Sequence, residues 1–143
     1  MIEFERQGIN MSKVLKEKII RIKQLKDNIY KMTIGSEYIA GNAKPGQFVN
    51  VKCCECSDIL LRRPISICGV DRKENTFDIV FEIKGKGTSR LAVKTAGCNI
   101  DIIGPLGTPF DLSGRLHRIA VVGGGIGIFP LLFALNESSA ATR

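Results

Sequence analysis

Two short segments carry residue types suited to phosphate. Arg62-Arg63-Pro64-Ile65-Ser66-Ile67 sets fixed cations beside a rigid proline and a hydroxyl, inside a strand-like apolar run. Gly85-Lys86-Gly87-Thr88 is a glycine turn that ends in Thr just ahead of a helix-like stretch. Arginine stays charged and its planar fork grips phosphate oxygens in two places. Pro64 fixes its own φ and lowers the entropy lost on ordering the segment. Alternation along a strand puts Arg63 and Ile65 on one face and Pro64 and Ser66 on the other. Glycines let the backbone approach an anion closely, and Thr88 is placed to cap the helix that follows. A cation, a hydroxyl and free backbone N–H groups are what a diphosphate ligand requires. Taken singly, each segment also reads as something plainer: a polar strand end with a surface Arg, and a capped glycine turn.

A third segment, Val122-Gly123-Gly124-Gly125-Ile126-Gly127, follows a continuous apolar stretch over 118–122 and precedes a helical pattern. The apolar stretch is of the kind buried on both faces of a parallel sheet. Pro130 is tolerated in the first turn of the helix, whose body is Leu131-Leu132-Phe133-Ala134-Leu135. Strand, glycine turn and helix open a nucleotide-binding sheet. The spacing departs from Gly-x-Gly-x-x-Gly because Ile128 stands at the last glycine position, so a tight packing turn is the alternative. Only residues 136–143 follow. The expectation is a truncated form of a longer protein.

Other chemistries find less support. His117 is the only histidine and lies among Arg115, Leu116 and Arg118 with no nucleophile motif nearby. No paired carboxylates and no Ser–His–Asp arrangement argue for hydrolysis, so no catalytic acid or base is expected. The net charge of +7 raises nucleic acid, but no basic run is interleaved with aromatics. The lysines of 13–26 alternate with Ile, Val and Leu, which fits the wet face of a strand. A basic surface also suits an anionic cofactor or an acidic partner. Cys53, Cys54, Cys56, Cys68 and Cys98 are odd in number, and residues 1–18 lack the apolar core of a secretory signal. Reduced thiols in a cytoplasmic protein are expected, with no metal site among them, because the cluster lacks a second pair downstream. No apolar run reaches the ~20 residues of a membrane helix.

The elements that must position these segments read mostly with period two. Strands are expected over 14–22, 29–34, 47–53, 63–70, 76–84 and 99–103, with a short helix over 88–94. In the fifth strand Phe77, Ile79, Phe81 and Ile83 share a face. Asp27-Asn28, Pro45-Gly46 and residues 71–75 are turns, and residues 104–110 are a rigid loop. The expected fold is mainly β: a six-stranded antiparallel Greek-key barrel with one short helix, then the first β-turn-α of an α/β nucleotide-binding domain. Closure removes exposed strand edges. Residues 1–12 are expected to be a disordered extension, with Met11 a plausible alternative start. Residues 13–112 form the barrel and 113–143 begin the second domain.

The order of the segments matters more than any one of them. Arg63-Pro64-Ile65-Ser66, Gly87-Thr88, Gly104-Pro105-Leu106-Gly107 and the glycine turn at 123–127 together resemble the ferredoxin–NADP reductase superfamily of flavoproteins. Within it, the wording of residues 62–67 is most similar to the electron-transfer subunits of class B dihydroorotate dehydrogenases. The resemblance covers about residues 13–135. It implies a FAD-binding barrel followed by a NAD-binding domain. Arg63 would hold the FAD diphosphate, and Pro64, Ile65 and Ser66 would run along the flavin. Val80, Phe81 and Glu82 would line the ring, Gly87 and Thr88 would bind the diphosphate, and Gly123, Gly124 and Gly125 would lie near the nicotinamide nucleotide. It also implies a partner subunit containing FMN, electron transfer to NAD in pyrimidine biosynthesis, and a [2Fe–2S] cluster on C-terminal cysteines that this chain does not carry. Phe129 stands where the family has a small residue or Pro. A sulfide dehydrogenase or ferredoxin:NADP reductase subunit, and a non-enzymatic β-barrel binding module, are the other readings.

Overall fold

The computed structural model describes residues 11–55, 59–112 and 119–140. Six strands are formed: β1 (Lys13–Lys26), β2 (Ile29–Gly35), β3 (Phe48–Lys52), β4 (Arg63–Asp71), β5 (Thr76–Glu82) and β6 (Asn99–Leu106). They close into a barrel in the order β1-β2-β5-β4-β3-β6, with every neighbouring pair antiparallel. Apolar alternation supplies the interior. Ile19 of β1, Met32 and Ile34 of β2, Val49 and Val51 of β3, Ile67 of β4, Phe77 and Ile79 of β5, and Ile100 and Ile102 of β6 are all but fully buried in one cluster. Each such side chain contributes about 1.5–3 kcal/mol relative to an exposed one. The outer face of β1 keeps its lysines in water, as its alternation requires.

Helix α1 (Glu37–Asn42) was not expected from the sequence. It is one of the shortest helices a cap can start: the Ser36 hydroxyl accepts from the Ile39 amide at 3.2 Å and donates to Glu17 Oε1 at 2.7 Å. Its Ile39 and Ala40 are buried. Six residues that include Gly41 and Asn42 show no helical periodicity to read. Helix α2 (Lys86–Ala92) starts two residues before the expected 88.

Two further expectations are corrected. The start of the expected loop at residues 104–110 is strand: β6 runs on to Leu106, and the Gly104–Pro105 peptide is cis. Gly104 is required there by close approach, since a Cβ would stand 2.7 Å from Val49 Cγ1. The apolar stretch expected as a strand over 118–122 forms none across its described part, residues 119–122, and Val122 is 93% exposed. A strand is held by ladder bonds to neighbours, and no other strand of the described residues pairs with it.

A 3₁₀ turn (Gly125–Gly127) leads into α3 (Ile128–Ala140), with Pro130 in its first turn as expected. The helix packs on β4. Phe133 is buried in the barrel's own core cluster. Arg72, just past the end of β4, makes a two-pronged pair with Glu137 at 2.7 and 3.2 Å. No helix of the described residues is long and apolar enough to cross a membrane.

Candidate functional site

One cleft of about 510 Å³ opens between β4, β5, the start of α2 and the C-terminal segment. That volume lies within the usual range for a site holding one small molecule. Arg63, Pro64, Ile65 and Ser66 line it from β4, and Val80, Phe81 and Glu82 from β5. Gly87 and Thr88 line it from α2. The two motifs lie about twenty positions apart in sequence and meet here because β4 and β5 are ladder partners and α2 follows β5 directly. Pro64 and Ser66 are exposed to the cleft side while Ile65 and Ile67 point into the core. That is the alternation read from the sequence, with Arg63 half-buried at the strand's start.

The two arginines of the motif do different work. Arg62 is bound to β6: its Nη2 donates to Asp101 Oδ1 at 2.8 Å and its Nη1 to the Asp101 carbonyl at 3.2 Å. Arg63 spends Nη1 on the Leu61 carbonyl at 2.9 Å. Its remaining edge lies along Gly87, where a Cβ would stand 3.1 Å from Nε and 3.3 Å from Nη2. Gly87 is therefore a close-approach glycine, and what approaches is the Arg63 guanidinium. That cation rests against the first turn of α2, whose amide N–H groups are also electropositive. Arg63 thus sets a guanidinium beside the start of α2.

Thr88 takes part in capping the start of α2, as its hydroxyl suggests. Its Oγ1 accepts from the Lys84 and Gly85 amides at 2.9 and 3.3 Å and donates to the Gly85 carbonyl at 3.2 Å. The hydroxyl is committed to shaping the turn. Phe81 is backed by Tyr30, its partner across the β2–β5 ladder, with ring centroids 5.9 Å apart and planes 16° from parallel. Phe81 is 3% exposed and belongs to the barrel core, against which Tyr30 packs.

Gly123, Gly124 and Gly125 do not line the cleft. Gly123 packs on α3 instead, a Cβ there standing 3.0 Å from Leu131 Cδ1 and 3.2 Å from Ile128 Cα. Their neighbours Ile126, Gly127, Phe129 and Pro130 line it. Lys84 and Gly85 line it too, with Lys84 Nζ 3.2 Å from Glu82 Oε2. Both groups of that pair are well exposed, so it adds little stability. Lys84 and Phe129 carried no pattern that marks a site; only their adjacency to the two glycine turns pointed that way. Cys53, Cys68 and Cys98 are free thiols, the first two buried, whereas Cys54 is disulfide-bonded, which departs from the expectation of reduced thiols throughout. His117 and Cys56 lie outside the described residues.

The barrel matches solved structures of flavin-dependent reductases. It superposes on the NADH-dependent reduced ferredoxin–NADP oxidoreductase with a TM-score of 0.62 at 28% identity, over 71% of this chain and 36% of that one. A ferredoxin–NADP⁺ reductase from Neisseria gonorrhoeae, solved with bound FAD and NADP, gives a TM-score of 0.67 at 21% identity over 92% of this chain and 54% of that one. The barrel has the fold that these reductases share. No protein-family model matches the chain. By sequence it is a homologue of the electron transfer subunits of dihydroorotate dehydrogenase B (NAD⁺). It is 42% identical to that of Desulforamulus reducens over 127 residues, covering 89% of this chain and 48% of the relative. It is 38% identical to that of Geobacillus thermodenitrificans over 115 residues, covering 79% and 45%. The chain spans about half the length of these relatives.

Proposed function

We propose that this chain is the flavin-holding part of an electron-transfer subunit, with FAD seated in the cleft between β4, β5 and α2. In this reading electrons pass between a partner catalytic dehydrogenase subunit carrying FMN and NAD⁺, serving dihydroorotate oxidation in pyrimidine biosynthesis in the cytoplasm. Residues 13–112 are the FAD barrel and 113–143 begin the NAD-binding domain. NAD and a [2Fe–2S] cluster belong to a longer form. The observation that carries the reading is the seating of the Arg63 guanidinium against Gly87 in a cleft that both residues line.

The residues present fit that group. Arg63 and Lys84 neutralise a diphosphate, Arg63 by its fork and Lys84 as a point charge. Gly87 leaves room for the cation and for backbone N–H groups to meet the same anion. Pro64, Val80 and Phe81 offer a mostly apolar lining with the Ser66 hydroxyl beside it. Bound flavin would supply the redox chemistry, while the chain binds, orients and tunes it. No side chain of the cleft is needed as an acid or base.

The purified protein is therefore expected to bind FAD, seen as flavin absorbance that stays with the chain through gel filtration. Arg63→Ala removes a charge-assisted contact worth about 1.5–3 kcal/mol, a loss of roughly 10- to 150-fold in affinity. A wild-type chain that takes up no FAD, or an Arg63→Ala chain with undiminished affinity, would refute the assignment.

A further inference from the structure

Three of the residues that line the cleft carry charge: Arg63, Lys84 and Glu82. Glu82 is the one carboxylate among them. It closes β5, and Lys84 follows two positions later at the start of the glycine turn. Lys84 Nζ lies 3.2 Å from Glu82 Oε2. Arg63 has no carboxylate at ion-pair distance among the described residues and gives Nη1 to the Leu61 carbonyl instead. The wall of the cleft therefore carries a formal charge of +1, two cations less one carboxylate. The cube root of its 510 Å³ is about 8 Å, and salt screens charges over about the same distance at physiological ionic strength. An anion anywhere in the cleft feels all three groups.

We infer that Glu82 is a specificity-determining residue for the ligand's phosphates: it makes the cleft select a diphosphate esterified at both ends over one that ends in a free phosphate. This rests on the flavin reading of the cleft and narrows the class of ligand. Each phosphate of a doubly esterified diphosphate, as in FAD, keeps one ionised oxygen. A terminal phosphate carries about −1.5 to −2 at pH 7. Arg63 and Lys84 alone would favour the more highly charged ligand, because Coulomb attraction grows with its charge. Glu82 opposes that preference twice, by subtracting a unit charge from the wall and by holding Lys84 Nζ. A free terminal phosphate also gives up more hydration on entering, and a wall of +1 does not offset the difference.

FAD is bound to flavin-free wild type, Glu82→Gln, Lys84→Gln and the double variant. It is then displaced by ADP-ribose, whose diphosphate is esterified at both ends, or by ADP, whose diphosphate ends free. The readout is the ratio of the ADP to the ADP-ribose dissociation constant, since a change in folding moves both alike. Wild type is expected to prefer ADP-ribose. Glu82→Gln should lower the ratio roughly two- to thirtyfold, the range for a unit charge at about 8 Å between effective dielectric constants of about 80 and 20. Lys84→Gln should raise it. The double variant keeps Arg63 as the wall's charge, again +1, and should stand near wild type. In about 1 M salt, where the Debye length is about 3 Å, the differences should shrink. FAD bound with an unchanged ratio in Glu82→Gln overturns the inference and leaves the flavin reading standing. A double variant that keeps the Glu82→Gln ratio shows that charge is not the cause and overturns it equally. So does a cleft from which neither nucleotide displaces FAD. Failure of wild type to bind FAD overturns both.

Discussion

Replacing Gly87 by Ala separates folding from ligand binding, because the new methyl touches one thing. Its ideal position lies 3.1 Å from Arg63 Nε, 3.3 Å from Nη2 and 3.4 Å from Cζ. Contacts this short are relieved by moving the guanidinium a few tenths of an ångström, and Arg63 can turn about its bond to the Leu61 carbonyl at 2.9 Å. Folding gains from the substitution, since Ala is favoured over Gly inside a helix by up to about 1 kcal/mol. The side-chain displacement costs a similar amount, so the melting temperature should change by no more than about 2–4 °C in either direction. Binding has no such compensation. A displaced cation forfeits part of a charge-assisted bond worth about 1.5–3 kcal/mol; a loss of about 1–2 kcal/mol weakens the FAD dissociation constant roughly 5- to 30-fold. Differential scanning fluorimetry gives the first quantity and FAD titration the second. Riboflavin, which lacks phosphate, serves as the control and should bind Gly87→Ala as it binds wild type. Unchanged FAD affinity, or equal weakening of FAD and riboflavin, would show that Arg63 and Gly87 do not form a phosphate cradle.

Arg62→Ala should behave in the opposite way, losing about 1–2 kcal/mol of stability with the part-buried Asp101 pair while FAD affinity holds; urea midpoints and FAD titration test this, and a tenfold loss of affinity would reassign Arg62 to the cleft. Gly104→Ala drives a methyl to 2.7 Å from Val49 Cγ1 and should cost about 1–3 kcal/mol. Adding Val49→Ala should restore part of that loss in a double-mutant cycle, and simple additivity would count against the contact. Burial, with the Asp78 carboxylate adding to it, pushes the Cys68 thiol from 9.0 up to about 12. The unfolded chain ionises this thiol first, so stability present below pH 9 declines as the pH climbs from 9 toward 12, by up to about 1.4 kcal/mol per unit. Cys68→Ala should flatten that alkaline limb of the urea midpoint, and an equally steep limb in the variant would disprove the cause.

The strands and the two motifs that line the cleft are legible in the order of residues alone. Period-two alternation is a local property: Phe77, Ile79 and Phe81 face the core because successive side chains of a strand point to opposite sides, wherever the strand lies. The turn chemistry of Gly85-Lys86-Gly87-Thr88 is local too, and Thr88 closes it with bonds to Lys84 and Gly85 alone. Which arginine faces the cleft depends on contacts distant in sequence. Arg62 and Arg63 are chemically identical neighbours, and they are told apart by Asp101 on β6 and Gly87 on α2. The same holds for Phe129, whose place depends on Phe133 reaching the barrel core and on Glu137 meeting Arg72 some 65 positions away. The apolar stretch before the glycine turn shows the limit from the other side. Its composition favours a strand, yet residues 119–122 form none, because a strand is completed by the neighbour that pairs with it and not by its own residues.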